Sequence, residues 1–267
     1  MLAPLRAGAF SLHVLLGLAT VVAVFPWITQ VSRNRINQQW SRILIAIAGA
    51  RVMASGLTLT AAVRRDGVET TSGGRLVLAN HISWLDIIAI NAVLPSRFIA
   101  KAEIREWPVL GVLVSRSGTL YIERGRRHAV AAMNQTVREH LQSGETIVVF
   151  AEGTTTDGSG LLPFHSNLIA PAIDVGAAIW PLAIRYTERG ERSSAAAYIG
   201  EMGILTSLAK VLVARRLLIE VAVLAPITTV GMPDRHAIAR AARGAIANHL
   251  GVDEPTPQST VRANYSS

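Results

Sequence analysis

The sequence predicts an α/β fold: a mixed, largely buried sheet flanked by helices, carried on an N-terminal membrane-associated helical hairpin. Three observations point there. From Arg75 onward, short apolar runs alternate with stretches of helical period, as expected for buried strands linked by helices. Ahead of them, Ala7–Ser32 carries no Asp, Glu, Lys or Arg over 26 residues, enough to cross a bilayer. The chain is also 50% hydrophobic with mean hydropathy +0.36, greasier than an ordinary soluble domain, and its 267 residues suffice for one large core.

The elements follow in chain order. Arg6 before an apolar run suggests a signal peptide, but the run is too long and lacks a small-residue cleavage site. The second segment, Ile43–Val63, holds Arg51 near its middle with Gly49, Ser55 and Gly56, which suits an interfacial or re-entrant helix. Arg6 lies before the first segment and Arg33, Arg35 and Arg42 after it, so basic residues set no orientation. A hairpin dipping into one leaflet fits both segments. The expected strands are Arg75–Ala79, Arg97–Ala100, Thr119–Ile122, Thr146–Phe150, Ala178–Ile184 and Leu217–Val223. The expected helices are Leu85–Val93, His128–Gln142, Asn167–Val175 and Asp234–His249. This divides the chain into a hairpin (1–65), an α/β domain (66–251) and a polar tail (252–267) with Pro255 and Pro257, expected to be disordered.

The stretch Leu76–Ile90, LVLANHISWLDIIAI, carries the chemistry. An apolar strand stops at Asn80-His81, and a helix starts near Ser83 with Asp86 in its first turn. Along one helix, five residues would rotate Asp86 roughly 140° away from His81. The two meet only if His81 sits in the turn, which Ser83 as N-cap allows. The carboxylate then fixes one imidazole tautomer and leaves the other nitrogen free to take a proton from a hydroxyl. Ser83-x-x-Asp86 also reads as a capping box, a purely structural role for the same residues.

Other strand ends are informative. Glu123-Arg124-Gly125-Arg126-Arg127 is a basic turn into a helix, suited to a phosphate or to solvent alone. Glu152-Gly153-Thr154-Thr155-Thr156 follows a buried strand. Its glycine permits close backbone approach, and its hydroxyls can face an oxyanion. Pro181 within an apolar strand marks an edge or a bulge. Twenty-six Lys and Arg against 18 Asp and Glu give +8, which favours an anionic partner, and the absence of cysteine excludes disulfides, thiolate catalysis and Cys-ligated zinc.

These motifs, in this order and spacing from Arg75 to Tyr186, resemble the glycerolipid acyltransferases, the 1-acylglycerol-3-phosphate acyltransferases and their relatives. Asn80-His81-x4-Asp86 matches the family's first motif, Tyr121-Ile122-Glu123-Arg124 its second, Phe150-Ala151-Glu152-Gly153-Thr154 its third and Val175–Pro181 its fourth. Lys101, with Trp107-Pro108 and Gly111, fits the stretch between the first two. The resemblance implies that fold on a membrane-dipping helix pair, with His81 and Asp86 as catalytic dyad and Asn80, Lys101, Arg124, Glu152, Gly153 and Thr154 binding substrate. It implies acyl transfer from acyl-CoA or an acyl carrier protein to a lysolipid hydroxyl, with no cofactor or metal and no nucleic acid. It also implies membrane lipids as partners and a bacterial inner membrane, cytoplasmic-side location. Two departures bear on the acceptor: Ala151 and Thr155 replace a customary proline and basic residue, and His165 stands where relatives commonly carry lysine. The default acceptor is 1-acylglycerol-3-phosphate. The segment Phe150–Phe164 also resembles relatives that acylate lyso-ornithine lipid. A lipase is disfavoured because no G-x-S-x-G elbow exists. A non-catalytic membrane adaptor would not need His81 and Asp86 within hydrogen-bond reach.

Overall fold

The computed structural model describes residues 2–56, 74–123, 127–231 and 234–252. Helices α1 (Leu2–Ala23) and α2 (Gln30–Ile47) open the chain, joined through a 3-10 turn at Phe25–Trp27 and by Thr29, whose hydroxyl accepts the Ser32 N–H. Then come β1 (Ala50–Gly56), β2 (Arg75–Ala79), α3 (Leu85–Val93), β3 (Arg97–Lys101), α4 (Leu110–Arg116), β4 (Leu120–Ile122), α5 (Arg127–Gln142) and β5 (Thr146–Phe150). The remainder is α6 (Ala170–Asp174), β6 (Ile179–Glu188), β7 (Glu191–Arg192), α7 (Ile204–Val213), β8 (Leu217–Val223) and α8 (Arg235–Leu250).

One sheet runs in the order β1-β8-β6-β2-β5-β3-β4, with β7 paired to β6. From β6 to β4 the neighbours are parallel; β8 is antiparallel to β6, and β1 is parallel to β8. Period-two alternation divides the core. Val77 and Ala79 of β2 face one layer with α2, α3 and α7, while Leu76 and Leu78 face α5, α6 and α8. The parallel strands β2, β5 and β3 therefore end along one edge, with Ala79 beside Phe150 and Lys101 beside Ile122 of β4. That edge holds the turns the sequence singles out.

The second arm of the hairpin differs from expectation. The helix ends before Gly49, which takes a left-handed φ of 78° against the Arg6 guanidinium. Ala50–Gly56 is then a strand, paired residue for residue with Leu217–Val223. The edge of β8 offers its N–H and C=O groups to this segment, and exposed Arg51 points off the sheet. The 43–63 stretch is thus the end of α2 and a strand of the sheet, and residues 57–73, like the polar tail after Val252, lie outside the described residues. The hairpin of α1 and α2 ends by Ile47, and the α/β sheet begins at Ala50, before the expected boundary at 65.

Helix α1 lies along the domain. Arg6 at one end donates to Leu212 O in α7 (3.0 Å), and Val21 and Phe25 at the other pack on Leu113 of α4. Its other face, with Leu5, Leu12, Leu15 and Leu16, is exposed. Ala3–Trp27 is long and apolar enough to cross a membrane by length and composition. Pro181 is in a central strand rather than at an edge. Pairing on the β8 side slips by one residue between Leu182–Val223 and Ile179–Ile227, so the missing N–H falls at a bulge.

Truncation tests the placement of β1. A chain starting after Trp27 keeps α2 on α3 and should remain folded in detergent. One starting after Gly56 bares the β8 edge and should aggregate and melt at lower temperature, as read by size exclusion and thermal denaturation.

Candidate active site

The strand β2 ends where Asn80 substitutes its side chain for backbone. Its Nδ2 donates to Ile184 O (3.0 Å), and its Oδ1 accepts the Ile184 N–H (2.8 Å). Fully buried, Asn80 anchors the turn to β6 through both polar atoms of its amide. Released from the ladder, His81 turns out of the sheet.

Asp86 is 0% exposed, and donors surround its carboxylate. Oδ2 accepts from His81 Nδ1 (2.8 Å), the Ile82 N–H (2.7 Å) and the Ser83 N–H (2.9 Å); Oδ1 accepts from Tyr186 Oη (2.6 Å). A carboxylate accepts and cannot donate, so the His81 proton sits on Nδ1 and Nε2 is left as acceptor. The ring stacks on Phe150 at 3.8 Å, and the side chain is 18% exposed, open toward solvent. Tyr186 was not singled out from the sequence, because the expected strand stopped at Ile184 two residues short of it. Burial, then the neighbouring Asp86 charge, push its phenol well above the usual tyrosine value, so it remains a donor at working pH.

Ser83 adds the cap. Its hydroxyl accepts the Leu85 N–H (3.2 Å), while Asp86 reaches back to the Ser83 N–H. One carboxylate thus serves both the helix start and the imidazole.

Glu152 is also buried, and both its oxygens are spent. Oε1 accepts the His81 N–H (2.8 Å), and Oε2 accepts the Leu162 N–H (2.9 Å). It clamps the His81 turn to the loop after β5. Burial raises its carboxyl above the ordinary 4.5, outweighing the two backbone donors. The next residue, Gly153, adopts φ 71°, which bends the loop sharply after β5. The Thr156 N–H donates to His81 O (2.8 Å), and the Tyr198 N–H to Ile82 O (2.9 Å), so loops from two sides hold the turn. The Thr155 hydroxyl is engaged by Tyr198 O, whereas Thr154 is exposed. Lys101 is exposed at the end of β3 on the same sheet edge. Arg124 lies outside the described residues. Among the described residues no cluster of three or more His, Asp or Glu could hold a metal.

Chemically the arrangement is an imidazole oriented by a buried carboxylate at the carboxyl ends of the parallel strands. A family model described as acyltransferase matches residues 61–185. The lyso-ornithine lipid O-acyltransferase of Pseudomonas aeruginosa is 36% identical over 225 residues, 84% of this chain and 82% of the relative. That of Rhodobacter capsulatus is 31% identical over 253 residues, 92% and 89%. The 1-acyl-sn-glycerol-3-phosphate acyltransferase of Neisseria gonorrhoeae is 42% identical over 166 residues, 62% of this chain and 65% of the relative. The crystal structure of the 1-acyl-sn-glycerophosphate acyltransferase of Thermotoga maritima shares the fold, with TM-score 0.62 at 15% identity over 93% of this chain and 96% of that one. The chain belongs to the glycerolipid acyltransferase family.

Two variants separate the roles. Tyr186→Phe removes one charge-assisted bond from Asp86 and should lower kcat roughly tenfold with KM nearly unchanged. Asp86→Asn turns an amide against several donors and should lower both kcat and melting temperature. Glu152 gives a pH test. Its raised pKa means the native chain binds that proton more tightly than the unfolded chain. This contribution is complete below pH 4.5 and is lost as pH rises through the raised value. In urea unfolding, wild-type stability relative to Glu152→Gln should therefore fall from pH 4.5 upward; a pH-independent difference would show that Glu152 does not titrate there.

Proposed function

We propose that the chain transfers a fatty acyl group directly from a thioester, on coenzyme A or an acyl carrier protein, to the free hydroxyl of a lysolipid. His81 is the general base. Its Nε2 takes the hydroxyl proton as the oxygen attacks the thioester carbonyl. When the tetrahedral intermediate collapses, the carbon–sulfur bond breaks and the imidazolium returns the proton to the departing thiolate. No acyl-enzyme forms. The observation that carries this is the Nδ1 bond to buried Asp86, which leaves Nε2 unengaged and facing out. A positioned base contributes about 10²–10⁴-fold.

The acceptor we favour is lyso-ornithine lipid. The relatives so named match 84% and 92% of the chain, and the Thr155 hydroxyl is engaged by Tyr198 O, away from any head group. The second reading is 1-acylglycerol-3-phosphate, favoured by the higher identity, 42%, of the Neisseria enzyme. Either acceptor places the enzyme at a membrane. We assign the outer face of α1 to the bilayer, with the domain on the cytoplasmic side of a bacterial inner membrane; Thr154 and Lys101 are left to meet the head group.

His81→Ala should lower acyl transfer at least a hundredfold while costing no more than about 1–3 kcal/mol of stability, since Asp86 Oδ2 keeps the Ile82 and Ser83 N–H donors. Retention of more than a tenth of the rate contradicts the base. A competition assay offering both lysolipids with one donor should favour the ornithine lipid; strong preference for the phosphate lipid reverses that assignment.

A further inference from the structure

We propose that α7 and the cations around it form a second membrane-docking surface that seats on anionic lipid head groups beside the outer face of α1. This rests on the assignment of α1 to the bilayer and adds a contact to it. Helix α7 is apolar on two faces. Inward, Val211, Leu212 and Leu208 pack in the core layer with Ala7 and Phe10 of α1. Outward, Leu205 (77% exposed), exposed Ala209 and Val213 (65%) fall at i, i+4 and i+8, one stripe along the helix. Isolated exposed aliphatics are common; an aligned stripe against a membrane helix is not.

Cations flank the stripe. Lys210, Arg215 and Arg216 are exposed, and no described residue bonds their side chains; Arg189 and Arg192 lie across the same groove. Arg192 donates to the carbonyls of Gly158 and Leu250 and lies near the Asp157 carboxylate, so its charge is partly offset. Two further carboxylates are nearby. Glu188 accepts from the Ser193 hydroxyl and the Arg215 N–H, and Glu191 is exposed. An apolar stripe with excess positive charge around it matches an anionic interface. A second copy of the chain would set like charges against each other across a two-fold axis.

Continuity with α1 fixes the geometry. Arg6 donates to Leu212 O and Ala214 O, tying the start of α1 to the end of α7. Trp84, three residues past His81, donates through Nε1 to Ser207 Oγ (3.0 Å) and meets the Phe10 ring edge-on. Seating α7 would therefore set the height of the catalytic turn above the lipid.

The chain has no cysteine, so single-cysteine variants carry an environment-sensitive fluorophore cleanly. The full chain is reconstituted with vesicles of phosphatidylcholine, with and without phosphatidylglycerol. Labels on Leu205→Cys and Val213→Cys should shift blue and be quenched by spin-labelled lipid on the anionic vesicles, while Ala132→Cys on α5, across the sheet, should not. Combining Lys210→Glu, Arg215→Glu and Arg216→Glu should lower the blue-shifted fraction at least tenfold. If the α7 labels stay in water while Leu12→Cys on α1 enters lipid, the α7 surface falls and the α1 assignment stands. If Leu12→Cys also stays in water, both fall. A blue shift without lipid that grows with protein concentration would identify a second copy as the occupant and overturn the proposal.

Discussion

A fully buried carboxylate needs donors, and Asp86 has them from the imidazole, two backbone N–H groups and a phenol. A single unmatched donor or oxygen there would cost about 1–3 kcal/mol, so the surroundings are mutually constrained. The backbone at Ile82 and Ser83 must form the turn that aims its N–H groups inward. The first turn of α3 must start where it does, and β6 must run far enough to deliver Tyr186. The orientation of His81 follows from the same requirement.

The turn carrying His81 is cross-linked through its backbone. Glu152 takes its N–H, Thr156 donates to its carbonyl, and Tyr198 donates to the next one. Buried backbone groups in an irregular segment must find partners, and here they come from two loops, the one after β5 and the one before α7. Two ordinary constraints, satisfying a buried charge and satisfying a buried turn, thereby place one side chain to within hydrogen-bond tolerance. An enzyme that moves an acyl group between two bound substrates needs that fixed geometry more than it needs a reactive nucleophile.

Much of this was legible in the chain itself. Strands buried on both faces read as unbroken apolar runs, so β2, β5 and β8 appear with their observed ends. The His81–Asp86 bond was legible because a histidine after a strand and a carboxylate one turn into a helix can meet in only one local geometry. Pairing over long range was not. Ala50–Gly56 looks like a helix continuation until β8, more than 160 residues later, offers it an edge. Helices α4 and α7, seven and ten residues long, were missed because so short an apolar stretch is hard to tell from a strand by its pattern. Asn80 and Glu152 were read as ligand groups from their place in motifs. Their bonds to Ile184, His81 and Leu162 depend on long-range pairing and were not legible.

The central claim is that Asp86 fixes His81 as the Nδ1–H tautomer with Nε2 free. Selective nitrogen-15 labelling of histidine, with the His81 signals assigned by a His81→Gln sample, reads this directly by NMR. With the imidazole neutral, the account predicts a protonated Nδ1 with a downfield, slowly exchanging proton and an unprotonated Nε2, with this preference lost in Asp86→Asn. A neutral ring protonated on Nε2, or a mixture unchanged by Asp86→Asn, would contradict it.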